Sequence, residues 1–134
     1  MRNAALWARY AETTGEVEVS GTRAGLLALA GVLRGGGDLA LAPVADPAPY
    51  DRALARLRVR LREAGRVRVS VDDTILLIEG GPGSIAVLAE NVEGFAAEAD
   101  DPRHHLHIDY FPGHFYLAEG SAPLVVGWDT SADT

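Results

Sequence analysis

Hydrophobic and polar positions alternate in some stretches of this chain and recur at helical spacing in others, and the two rhythms divide it into elements. Within Met1 to Thr14, Leu6, Trp7 and Tyr10 fall at near-helical spacing, which predicts a short helix or an N-terminal arm. Glu16 to Ser20 alternates and predicts a strand. Ser20 or Thr22 can cap a helix over 23–34, whose apolar stripe is Leu26, Leu29, Ala30 and Leu33 and whose stop is Gly35-Gly36-Gly37. Asp38 to Ala42 predicts a short strand, and Pro43 to Pro49 a loop.

From Ala53 to Arg62 apolar residues hold the odd positions and Arg56, Arg58, Arg60 and Arg62 the even ones, a strand rhythm that resumes at Arg66, Val67, Arg68 and Val69. A three-residue loop, Glu63-Ala64-Gly65, would close these into a hairpin with Arg62 opposite Arg66 and Arg60 opposite Arg68. One face of that hairpin is apolar and the other is arginine. Asp72-Asp73 turns into Thr74 to Glu79, which is apolar on both faces and so suits the interior of a sheet. After Gly80-Gly81-Pro82-Gly83, a helix over 84–99 carries Ile85, Leu88, Ala89, Val92, Phe95, Ala96 and Ala99 opposite Glu90, Glu93 and Glu98, and Asp100-Asp101-Pro102 ends it.

Residues 104–116 hold all four histidines. In a strand, His105, His107, Asp109 and Phe111 share one face and Leu106, Ile108 and Tyr110 the other, until Pro112-Gly113 breaks the pleat. Pro123 to Trp128 is the last strand, and 129–134 a polar tail. Strand, helix, four strands, helix, two strands predicts an α+β domain: a mainly antiparallel sheet of about six or seven strands with two helices packed on it. No internal repeat is visible in the residues.

The chain has 134 residues, 48% hydrophobic and 23% charged, which predicts one globular domain. It has no cysteine, so sulfur chemistry is excluded. No apolar run approaches the roughly 20 residues of a membrane span, and the N-terminal stretch lacks a signal-peptide core, so a cytoplasmic location is expected, with no membrane partner. The net charge is −7, yet half of the basic residues are Arg56, Arg58, Arg60, Arg62, Arg66 and Arg68. The rest of the surface is therefore strongly acidic, which disfavours nucleic acid and favours a basic protein partner.

Two clusters could carry chemistry. His105, His107 and Asp109, with His114 from the turn, are types that bind iron or zinc, although ligands about 7 Å apart along one strand splay outward and need help from a neighbour. No other histidine can supply it, and no nucleophile motif accompanies a histidine base. The alternative to a metal site is a polar strand face. The arginine face is either neutralised internally, by acids such as Glu79 placed opposite Arg66, or meets an acidic partner or a second copy. The glycine run lacks the spacing of a phosphate loop, and Trp7 and Trp128 suit core or interface anchors.

The run His105-Leu106-His107-Ile108-Asp109-Tyr110-Phe111-Pro112-Gly113-His114, then Tyr116-Leu117 and Ser121-Ala122-Pro123-Leu124-Val125-Val126, resembles the C-terminal signature of the immunity protein 32 family of bacterial polymorphic toxin systems. Asn91 to Phe95 and Gly15 to Gly21 fit the same pattern. The resemblance implies a cytoplasmic protein that binds and neutralises a cognate toxin, with no catalysis and no cofactor. The expected contact residues are His105, His107, Asp109, Tyr110, His114 and Tyr116, because a strand and turn rich in Tyr and His suit a binding hot spot. A homodimer through the sheet is compatible with this reading.

Overall fold

The computed structural model describes residues 5–98 and 103–128. Ala99, the Asp100-Asp101-Pro102 stop and the polar tail lie outside them. The class is α+β: two helices and nine strands among the described residues. The strands are β1 (Leu6–Tyr10), β2 (Val17–Gly21), β3 (Gly37–Ala40), β4 (Arg52–Leu54), β5 (Arg56–Leu61), β6 (Arg68–Asp72), β7 (Ile75–Gly80), β8 (His105–Ile108) and β9 (Leu124–Trp128). The helices are α1 (Arg23–Gly35) and α2 (Pro82–Ala97). In place of a single sheet there are two mixed ones, ordered β4-β1-β2-β9-β8 and β3-β5-β7-β6.

Several expectations change. The N-terminal helix is instead β1, because Leu6 and Ala8 point into the core while Trp7 and Arg9 share the other face, a strand rhythm hidden by the adjacent aromatics. The long alternating stretch after Ala53 divides at Ala55: β4 joins the first sheet beside β1, and β5 the second. The arginine hairpin does not form. β7 lies between β5 and β6, parallel to the first and antiparallel to the second. Arg60 and Arg68 thus flank Glu79 rather than each other, which replaces like-charge opposition with attraction across the sheet. The turn into β7 falls at Asp73-Thr74, so Glu79 sits opposite Arg68 and not Arg66. The interior position expected for residues 74–79 is the one β7 takes.

Both helices follow their stripes. Thr22 caps α1, its Oγ accepting from the Gly25 N–H at 3.1 Å, and Gly36 ends the helix at φ 76°. Leu26, Leu29, Ala30 and Leu33 of α1, and Ile85, Leu88, Ala89, Val92, Phe95 and Ala96 of α2, join the inner faces of both sheets in one continuous core. Gly25 lets the chain before β1 lie on α1, since a Cβ there would sit 1.9 Å from the Ala5 carbonyl oxygen.

A repeat does exist, in the topology. The series β1-β2-α1-β3-β5 and β6-β7-α2-β8-β9 have the same plan. Each begins with an antiparallel pair, passes through a helix, and ends with an antiparallel pair that joins the other half's sheet. The final strand of each lies parallel to the second strand of the other, β9 beside β2 and β5 beside β7. Gly21 and Gly80 end equivalent strands, and Leu26, Leu29, Ala30 and Leu33 correspond in order to Ile85, Leu88, Ala89 and Val92. Few of the residues are identical, which is why the sequence conceals the repeat. Burial, not identity, is what the two halves share.

Candidate functional site

The fold carries His105 and His107 on β8, an edge strand, with Leu106 and Ile108 turned toward the core as the alternation predicts. Both histidines are exposed, their ring centroids 6.4 Å apart. Gly127 on β9 makes room for the first. A Cβ there would stand 3.0 Å from both the His105 ring and the Ser20 Oγ.

After β8 the chain forms a braced loop. His114 and Tyr116 are buried, so the structure places them beneath the surface and not on it. The His114 N–H donates to the Phe111 carbonyl at 2.9 Å, and its Nδ1 accepts from the N–H groups of Tyr116 (3.2 Å) and Leu117 (3.1 Å), which puts the ring proton on Nε2. The Tyr116 carbonyl accepts from the Val67 N–H at 2.7 Å, and the Ala118 N–H donates to the Val67 carbonyl at 2.7 Å. With the Ala122 N–H donating to the Val69 carbonyl at 2.8 Å and the Val69 N–H to the Ser121 Oγ at 2.9 Å, this segment covers the outer edge of β6. Asn91 of α2 donates to the Tyr116 hydroxyl at 3.0 Å. Burial raises the Tyr116 pKa, and the Asn91 bond opposes that rise.

What the brace presents is a pair of phenylalanines. Phe111 is 58% and Phe115 70% exposed, and both pack on the His114 ring, with centroids 4.6 and 5.8 Å away. Sequence reasoning assigned Phe111 to a polar strand face and did not single out Phe115. The available signal was two bulky apolar residues bracketing Pro112-Gly113, where no strand or helix rhythm could bury them. Asp109 is exposed and Tyr110 half-buried at the start of the same loop.

Next to the loop, a cleft of about 690 Å³ opens between α2 and β8. Glu90, Asn91, Gly94, Phe95 and Glu98 line one wall, and residues 103–107 the other. Asn91 belongs both to this wall and to the bond that holds Tyr116, so it links the cleft to the base of the phenylalanine loop. The carboxylates of Glu90 and Glu98 make no ion pair with other described residues.

The topological repeat supplies an internal comparison. In the first half, one residue, Gly36, joins α1 to β3, and a Cβ on Gly37 would stand 3.7 Å from the Val32 side chain. The long connection from Leu41 to Ala55, which corresponds to the phenylalanine loop, folds its aromatic residue back. Tyr50 donates to Glu16, and the Arg9 guanidinium lies 4.6 Å over its ring, while Arg9 also pairs with Glu18.

Among the described residues no three His, Asp or Glu side chains come together to share a metal ion. His105, His107, Asp109 and His114 do not converge, since His114 faces into its own loop. The arginine face is part-neutralised: Asp38 bonds Arg58 at 3.1 Å and pairs with Arg56 at 3.8 Å, and Arg62 bonds Glu79 at 3.0 Å. The Arg58 bond holds the Asp38 carboxyl below its ordinary pKa. Arg60, Arg66 and Arg68 are exposed and make no ion pair with other described residues.

The molecule is α+β, with a braced aromatic loop and a cleft lined by Glu90 and Glu98 on one side and Arg103 and the β8 histidines on the other. The family model for immunity protein 32 matches residues 16–43 and 75–129, more than half of the chain. This protein belongs to the immunity protein 32 family. Cleft and phenylalanine loop lie within the matched residues, whereas β5 and the arginine face fall between the two matched spans. Comparisons with curated proteins and with solved structures gave no match.

Proposed function

We propose that this protein neutralises its cognate toxin by stoichiometric binding, without catalysis, through the surface that joins the cleft to the phenylalanine loop. The observation that carries this reading is the pair of exposed phenylalanines on a loop fixed from below by His114, Tyr116 and the backbone of β6. Exposed aromatics cost solubility unless a partner covers them, and a rigid mount lowers the entropy lost when one does. His105, His107, Asp109 and Tyr110 extend the contact, while His114 and Tyr116 act as its support. The net charge of −7 suits a basic toxin, whose encounter with this surface opposite charge would accelerate. Encounter takes place in the cytoplasm, the compartment the resemblance implies.

The test is calorimetric titration with the toxin domain encoded beside this gene. Phe111→Ala with Phe115→Ala is expected to weaken binding by about 2 kcal/mol or more, roughly 30-fold, with the fold intact by circular dichroism. A double variant that binds like the wild type, or a wild-type protein that does not bind at all, would contradict the proposal.

A further inference from the structure

The free edge of β8 adds something that the side chains do not. The Val17 N–H bonds the Pro123 carbonyl at 2.9 Å, so in β9 residues 123, 125 and 127 direct their backbone groups toward β2. Alternation then directs residues 124 and 126 toward β8, where they meet Ile108 and Leu106. His105 and His107 are left with N–H and C=O groups pointing away from the sheet, and no backbone bond among the described residues meets them there. This row of open donors and acceptors borders the cleft, with α2 as the far wall.

The outer edge of β6 is covered, because the connection at 116–122 bonds Val67 and Val69, whereas that of β8 meets no such bond among the described residues. An exposed edge invites pairing, and natural folds usually blunt it. Here the edge stays open and a cleft is kept beside it. Glu90 and Glu98, in no ion pair with other described residues, give the α2 wall a preference for positive charge, while Arg103 stands on the facing wall.

We infer that an extended segment of the toxin, carrying basic side chains, adds as a strand to the free edge of β8 and lies in the cleft, with its Lys or Arg residues meeting Glu90 and Glu98. This rests on the binding role proposed above and specifies its mode: main-chain pairing supplies affinity, and the carboxylates and Phe111 and Phe115 select the segment. Such a segment needs no folded counterpart of the cleft, only the ability to become extended.

Amide exchange in the wild-type complex with the neighbouring gene's toxin domain tests this without any substitution. The His105 and His107 amides are expected to exchange at least tenfold more slowly than in the free protein. His107→Pro removes an N–H that the β8–β9 ladder does not use, so it should keep the thermal midpoint within a few degrees yet weaken toxin binding at least tenfold. Ala40→Pro makes the same change at the equivalent free edge of β3 and should leave binding unchanged.

If the toxin binds and the phenylalanine variants weaken it, while the His105 and His107 amides exchange as before, strand addition is overturned and the binding role stands. If His107→Pro unfolds the protein, the exchange measurement alone decides. Protection of these amides in toxin-free protein together with a dimeric mass would assign the edge to a second copy and overturn the inference. A toxin that does not bind at all removes both.

Discussion

Single residues in this protein do their work through what they hold in place. His114 was a candidate contact or ligand by its chemistry, but its ring accepts two backbone N–H groups and packs against two phenylalanines. That role was not legible, because it depends on the chain curling back within a few residues and on β6 lying underneath. The exposure of His105 and His107 was legible, since alternation alone decides which side chains of a strand turn outward.

Two tyrosines report the same kind of burial. Desolvation first, then the hydrogen bond to Glu16, raises the Tyr50 pKa above its ordinary value, and burial raises that of Tyr116. A group whose folded pKa is raised lends stability that is complete below its unfolded pKa, about 10 for tyrosine, and is lost as pH rises through the folded value. Absorbance titration at high pH should therefore show phenols that ionise late, together with the onset of unfolding. Tyr50→Phe should remove part of that late phase, and a titration curve unchanged by the substitution would contradict the assignment.

At the level of elements, rhythm was readable and partnership was not. Both helices stand where their stripes put them, and α1 begins at one of the two caps foreseen. Thr22→Ala should cost about 1 kcal/mol in urea unfolding, with no change in slope, and a cost near zero would show that the Oγ bond to Gly25 is not holding the helix start. The arginine strands alternate as read, yet their neighbour is β7. Nothing in the local pattern of β5 and β6 reveals that a strand apolar on both faces will enter between them and bring Glu79 into the row of Arg60 and Arg68. Pairing is chosen by the whole sheet, so a short loop such as Glu63-Ala64-Gly65 is only weak evidence for a hairpin.

For the whole molecule, the duplicated plan matters most. Two halves of one topology differ in two places, the space between helix and outer strand and the long connection that follows. Both differences fall in the second half, and both meet at Asn91 and Tyr116. In the first half the helix passes into its outer strand through Gly36 alone, and the loop aromatic, Tyr50, turns inward onto Glu16 and Arg9. The departures fall within 75–129, one of the two spans that the family model matches. The family was legible in the sequence. The cleft was not, because it is formed by a helix and a strand whose separation no local rhythm encodes.

Neutralisation by occupancy and neutralisation by catalysis differ in stoichiometry. The most direct measurement is the residual activity of the cognate toxin as this protein is added in increasing molar ratio. Binding predicts a linear fall that ends at one protein per toxin and does not deepen with time. Complete inactivation by a small fraction of an equivalent, progressing with incubation, would mean that the protein turns over its toxin, and would contradict the account.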